Sequence, residues 1–203
     1  RRAMRLPDFP ALVSLFRDEA QLAQKGLSER KDAPAKPDPQ WALDAFLVAT
    51  TTALRGNDLP AARECLDSAR ALLSGTSSTA QQQQVQELTE ELHIRARQFR
   101  ELASLYETRL AAGLWTTAPG EATRLHELLI DLYSGPLADP GRALSLLQPL
   151  IEAAPTDLRL ARLAVLLQRR RGDVAGEAAA LAELDRVEQK QGHGPSLAAD
   201  LLR

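Results

Sequence analysis

The sequence has little of several features on which common protein functions depend. Its one cysteine, Cys65, excludes an internal disulfide and any metal site built from several cysteines. No apolar run approaches the roughly 18 residues of a transmembrane helix, so we expect no direct membrane insertion. Aromatic residues make up only 4% of the chain, and Val, Ile and Thr, which favour strands, are scarce. Leu and Ala dominate instead, and this composition predicts an all-α fold.

The charge balance gives no sign of a polyanionic partner. The net charge is −2, and only four of the basic residues are Lys, at positions 25, 31, 36 and 190. Such a surface does not attract a nucleic acid backbone or an anionic membrane, so neither is expected as a partner. The densest basic run, Arg169–Arg171, precedes Gly172. We interpret it as the last turn of a helix, where cations complement the dipole.

Residues that could carry chemistry lack the spacing that chemistry requires. None of His93, His126 and His193 stands four residues from another His or Cys, and no phosphate-binding or nucleophile-elbow motif occurs. Cys65 lies in an apolar helical pattern and is expected to be buried. The sequence therefore predicts a protein that is not an enzyme and that has no cofactor. An enzyme on a helical scaffold, with His126 and Glu127 holding a metal, is the least favoured alternative.

The chain repeats itself. The pattern of Phe9–Phe16 returns in Phe99–Tyr106, and the skeleton of Gly56–Ala62 returns in Gly172–Ala178. Repeats of a few tens of residues indicate stacked helical units that bury their apolar faces on one another. The apolar periodicity predicts about nine helices and the start of another. The predicted units are 1–29, 40–74, 80–112, 120–154 and 156–190, with 195–203 opening a further helix.

The ends of these helices carry recognisable signals. The proline-rich stretch 30–39 cannot continue a helix and predicts a loop. Asp58 and Asp157 are predicted N-caps, and Thr79 is a candidate cap for the helix that begins with the glutamine run. A break is expected near Arg97.

One family combines these features. The helix that Asp139-Pro140 opens places Ala143 in its first turns and Pro155 at its end, and Gly-Asp turns precede Ala62 and Ala178. This pattern resembles the tetratricopeptide repeat. The resemblance implies an α–α superhelix of antiparallel helix hairpins, forming a single domain over 1–203. The first helix would then be the second member of its hairpin, so the sequence is expected to be a piece of a longer bacterial array.

The resemblance also implies where a partner would bind. In this family, ligands lie along a groove lined by the first helix of each hairpin. The polar residues expected to line that groove carry charges of both signs, which suits a peptide or protein partner. The candidate partner-binding residues are Asp44, Thr51, Arg124, Glu127, Asp131, Arg159 and Arg162. Members that clamp heat-shock chaperone tails use paired Asn and Lys, and the only Asn here is Asn57, so that partner is not expected.

The prediction from the sequence is a cytoplasmic, non-enzymatic scaffold for protein–protein interaction. The alternative is a structural spacer or oligomerisation arm of a larger protein. Neither the identity of the partner nor the pathway is encoded in these patterns, and an export signal could lie upstream of Arg1.

Overall fold

The computed structural model describes residues 8–25, 38–73, 78–112 and 120–190. Among these residues it contains nine α-helices and no β-strand, so the prediction of an all-α fold is confirmed. No helix in the described part is long and apolar enough to cross a membrane. The helices are α1 Phe9–Lys25, α2 Pro39–Arg55, α3 Leu59–Leu72, α4 Thr79–Arg95, α5 Phe99–Ala111, α6 Glu121–Ser134, α7 Pro140–Ala153, α8 Leu158–Arg171 and α9 Val174–Lys190. The predicted stub at 195–203 lies outside the described residues.

Aspartate side chains begin six of these helices, including Asp8 before α1 and Asp173 before α9. Asp58 Oδ1 accepts a hydrogen bond from the Ala61 amide and Asp157 Oδ1 accepts one from the Arg159 amide, which confirms both predicted caps. Each bond satisfies one of the free N–H groups that open a helix. Asp38 and Asp139 begin α2 and α7 in the same way.

The cap of α4 lies one residue before the predicted position. Ser78, not Thr79, accepts the Gln81 amide hydrogen bond, and the Gln81 side chain accepts in return from the Ser78 amide. This reciprocal pair is a capping box. Thr79 is the first residue of the helix, and the glutamine run forms its polar first turn as predicted.

The chain divides into two compact units, Arg1–Gln98 and Phe99–Arg203. Each contains consecutive helices that pack on one another, namely α1 to α4 in the first unit and α5 to α9 in the second. The grouping of 1–203 into one domain stays a prediction.

In the first unit, α1 and α2 run antiparallel in close contact. A Cβ atom on Gly56, just after α2, would lie 2.6 Å from the Cβ of Phe9, so this close approach requires glycine. At the other end, the Asp38 amide donates to the carbonyl of Ala23 at 3.2 Å. The helices enclose a core centred on α2, whose largest fully buried side chains are Leu43, Leu47 and Leu54.

Three helix-to-helix turns have the same hydrogen-bonding pattern. In each, a residue with positive φ is followed by a residue whose amide donates to the carbonyl five positions earlier, which closes the end of the helix. The donors are Asp58, Gln98 and Asp173, which follow Asn57, Arg97 and Gly172. The break predicted near Arg97 is one of these turns. The turn between α6 and α7 is longer, and its residue of positive φ is Ala138.

The turns also correct the repeat register. Ala62, Leu102 and Ala143 each stand five residues after the positive-φ residue, and all three are buried. The corresponding residue after Gly172 is Glu177, whereas Ala178 is exposed. The alignment of Gly56 with Gly172 was therefore wrong by one residue, because the residue of positive φ is Asn57 in the first turn but Gly172 itself in the last.

The second unit has its own core between α5 and α8. Leu129 and Leu147 are fully buried on α6 and α7, and Leu167 of α8 packs with them. Gly176, at the start of α9, approaches α8 so closely that a Cβ atom there would lie 2.8 Å from the Gln168 side chain.

Candidate functional site

A groove in the first unit combines apolar and acidic side chains. Phe16 and Glu19 of α1 face Trp41 and Asp44 of α2 across it. The full lining is Phe16, Glu19, Asp38, Gln40, Trp41, Asp44, Ala45 and Val48. Phe16 and Trp41 are partly buried against the core below, whereas Val48 is 44% exposed. Helix α2 thus presents an accessible apolar strip beside carboxylates.

A side chain of α4 holds Asp44 in this groove. Asp44 Oδ1 accepts a hydrogen bond from Nε2 of Gln81 at 2.7 Å. The other end of the Gln81 amide accepts from the Ser78 amide at 3.0 Å. One side chain therefore both caps α4 and orients the carboxylate on α2.

Thr51 lies two turns further along α2 but is not among the groove residues. Its hydroxyl donates to the Leu47 carbonyl of its own helix at 2.9 Å. Thr50 and Thr52 make the same bond one residue before and after it. Of the two residues predicted on α2, Asp44 lines the groove and Thr51 is engaged by its own backbone.

The three residues predicted on α6 are exposed. Arg124 approaches Glu121 at 3.9 Å, a loose contact on a well-exposed side chain. The stronger partner of Glu121 is Arg109 of α5, at 2.9 Å. Glu127 and Asp131 are exposed on the same helix. These side chains are accessible on the surface of α6.

The two arginines predicted on α8 contact carboxylates of their own unit. Arg159 contacts Asp157, the cap of its own helix, at 3.1 Å. Burial by itself would raise the pKa of Asp157, but hydrogen bonds from the backbone and guanidinium of Arg159 lower it overall. Arg162 lies 3.5 Å from Glu188 of α9, whose side chain is only 1% exposed. Arg162 therefore contributes to an internal contact, whereas Arg159, whose side chain is 77% exposed, makes a surface contact within its own helix end.

A second polar cluster joins α5, α6 and α7. The Tyr133 hydroxyl donates to Oε1 of Glu107 at 2.7 Å, and Arg142 contacts the same carboxylate at 3.2 Å. The Arg142 guanidinium also lies 5.0 Å from the centre of the Tyr133 ring. Burial and then the hydrogen bond to Glu107 raise the pKa of Tyr133 to about 12. Because its charged groups pair with one another, this cluster stabilises the unit.

The potentially reactive side chains have structural partners. Cys65 is buried as predicted, and desolvation raises the pKa of its thiol. Nδ1 of His93 lies 3.2 Å from the Gln98 side chain, and Nδ1 of His126 lies 2.8 Å from the Ala122 carbonyl of its own helix. In the described ranges no three His, Cys, Asp or Glu residues are grouped as a metal site.

Sequence reasoning missed the apolar half of the groove. None of Phe16, Glu19, Trp41 and Val48 was among the predicted binding residues. A signal was present, because Trp41, Asp44 and Val48 stand at positions i, i+3 and i+7, which place them on one helix face. The packing of α1 beside that face determined which of these side chains stay accessible.

The chain shows little similarity to known proteins. No family model matches it, and no curated protein matches it significantly. Among solved structures, the MamA RS-1 ArsTM double mutant is similar over 92% of this chain and 98% of its own, at 14% identity and a TM-score of 0.43.

Proposed function

We propose that this chain is a non-enzymatic scaffold that binds a peptide or protein partner. The observation that supports this proposal best is the groove of the first unit, where Phe16, Trp41 and Val48 remain accessible beside carboxylates. Interfaces are enriched in aromatic residues at their centre and carry polar groups at their edge. A groove of this composition suits a partner side chain inserted between α1 and α2.

The resemblance of the sequence to tetratricopeptide repeats agrees with this choice of face. In such arrays the first helix of each hairpin lines the binding groove. The sequence predicts that position for α2, whereas α1, which forms the other wall of the groove, is the predicted second helix of the preceding hairpin. His93 and His126 lie outside the groove lining, which favours binding over acid–base catalysis in the groove.

Two exposed aliphatic residues provide a matched test. Val48 on α2 is 44% exposed and Leu166 on α8 is 46% exposed, so a charge at either site is expected to leave folding intact. Affinity capture with the wild-type chain identifies a retained protein, which is then purified and titrated calorimetrically. We expect Val48→Asp to weaken that binding more than about tenfold, as for the centre of an interface, and Leu166→Asp to leave it unchanged.

The opposite pattern would overturn the assignment. If Leu166→Asp abolishes binding and Val48→Asp retains it, the partner binds the second unit. If both variants bind as wild type does, the groove is not the binding surface. Circular dichroism of each variant shows whether it keeps the helical fold.

A further inference from the structure

The described residues that line the groove carry only negative charges. Asp38, Asp44 and Glu19 all line it, and its described lining residues include neither Lys nor Arg. This contrasts with the mixed charge predicted for the binding face as a whole. A surface of one sign steers and selects partners of the opposite charge.

The position of Asp44 makes it suited to an ion pair with a ligand. Gln81 fixes the carboxylate through Oδ1, and the residue is exposed. Within the described residues, no cation contacts its second oxygen. A charge that is already oriented loses less conformational entropy when a partner binds.

The floor of the groove suits the rest of a basic side chain. Trp41 lies three residues before Asp44 on the same face of α2, and Phe16 of α1 lies across from it. An indole ring attracts a cation placed over its face, and the methylene stem of Lys or Arg packs on apolar surface. The aromatic ring of Trp41 and the carboxylate of Asp44 together therefore suit a Lys or Arg side chain.

We infer that the groove binds a basic amphipathic segment of a protein partner, with a Lys or Arg side chain packed on Trp41 and paired with Asp44. This inference rests on the proposed function and specifies the chemistry of the partner. The neighbouring exposed side chain of Val48 contacts an apolar residue of the same segment.

The test uses a fluorescein-labelled amphipathic peptide of Lys, Leu and Ala, titrated with the full chain and followed by fluorescence anisotropy. A second peptide has Gln in place of every Lys. We expect the Lys peptide to bind at least about fivefold more tightly and its affinity to fall as salt is added, because the ion pairs at the rim are screened.

Variants locate the contact. Asp44→Asn keeps an oxygen that can accept from Gln81 and removes the charge, so it should weaken the Lys peptide roughly three- to tenfold and leave the Gln peptide unchanged. Asp18→Asn is the matched control, because Asp18 is an exposed α1 carboxylate outside the groove lining, and it should bind as wild type does. Trp41→Phe keeps an aromatic side chain and should weaken the Lys peptide by a smaller factor.

Several outcomes would overturn the inference. Equal binding of the two peptides, with both lost in Val48→Asp, would refute the role of charge and leave the proposed function standing. Loss of binding in Asp18→Asn as large as in Asp44→Asn would show only a general charge effect. Concentration-dependent self-association that Trp41→Phe abolishes would identify a second copy as the occupant. If the peptide binds only after the double substitution Lys31→Gln and Lys36→Gln, the occupant of the groove is a segment of the chain itself.

Discussion

The two units use similar charged residues in different ways. On α2 of the first unit, Asp44 is exposed in a groove and is oriented by a neutral amide. On α8 of the second unit, Arg162 pairs with the buried carboxylate of Glu188. Both residues were predicted to bind a partner because they occupy polar positions on first helices. The difference shows that position in a repeat does not by itself determine whether a charge is accessible.

The reason lies in what the neighbouring helix contributes. Gln81 of α4 can donate one hydrogen bond to Asp44 without neutralising it. Helix α9 instead contributes a carboxylate to α8, and a buried carboxylate requires a cation. We therefore expect the first unit to tolerate loss of its groove charge and the second unit to be destabilised when its pair is broken.

The largest effect on the free energy of unfolding is expected at the pair of Arg162 and Glu188. Arg162→Ala leaves Glu188 buried without its partner and should lower the free energy of unfolding by about 1–3 kcal/mol. Asp44→Ala removes an exposed charge and should change it by less than about 1 kcal/mol. Urea unfolding followed by circular dichroism measures both.

A control separates the pair from the loss of packing. Glu188→Leu combined with Arg162→Leu replaces both charges with apolar side chains and should recover most of the stability lost in Arg162→Ala, because no buried charge remains. If Asp44→Ala and Arg162→Ala lower the free energy of unfolding equally, the two units do not differ in how they use these charges.

A smaller effect is expected at the tyrosine cluster of the second unit. Tyr133→Phe deletes the hydrogen bond to Glu107 and should lower the free energy of unfolding by about 0.5–1.5 kcal/mol near neutral pH. The pKa of Tyr133 is raised from 10.0 to about 12, so the folded state holds the phenolic proton more tightly than the unfolded state. This contribution is complete below pH 10 and is lost as the pH rises from 10 towards 12.

Urea unfolding of the wild type and Tyr133→Phe over this range isolates the tyrosine. The difference in stability between the two proteins should be constant below pH 10 and shrink above it. A difference that grows with pH would show that the tyrosinate, not the phenol, is stabilised in the fold.

The helices were predictable because their signals are local. Asp58 and Asp157 cap the helices assigned to them, and Cys65 is buried as its apolar spacing indicates. The register of the last turn was not predictable. By sequence, Gly172 and Ala178 align with Gly56 and Ala62, whereas the hydrogen bonds of the turn place Glu177 in the position of Ala62. A glycine shared by two helix ends does not report which residue of each turn has the positive φ.

The candidate site was only half predictable for a similar reason. The helical period places Asp44 on a polar position of α2, which is a local property. The carboxylate that neutralises Arg162 and the aromatic ring beside Asp44 come from other helices. Contacts between helices depend on crossing geometry that a single helical pattern does not contain.

The smallest effect on the free energy of unfolding is expected at Arg124. This residue tests whether the second unit also has a charge that is accessible to a partner. Its contact with Glu121 is long, at 3.9 Å, and its side chain is 69% exposed. Glu121 has a closer partner in Arg109 at 2.9 Å. Arg124→Gln should therefore change the free energy of unfolding by less than about 0.5 kcal/mol, at low and high salt alike.

A double-mutant cycle between Arg124 and Glu121 measures this coupling directly, and the cycle between Arg109 and Glu121 is its matched control. The second coupling should exceed the first, since that pair is closer and less exposed. With a small first coupling, Arg124 remains an accessible cation of the second unit, available to a partner as its sequence position predicts. A coupling as large as that of Arg109 would instead make Arg124 a structural residue, as Arg162 is.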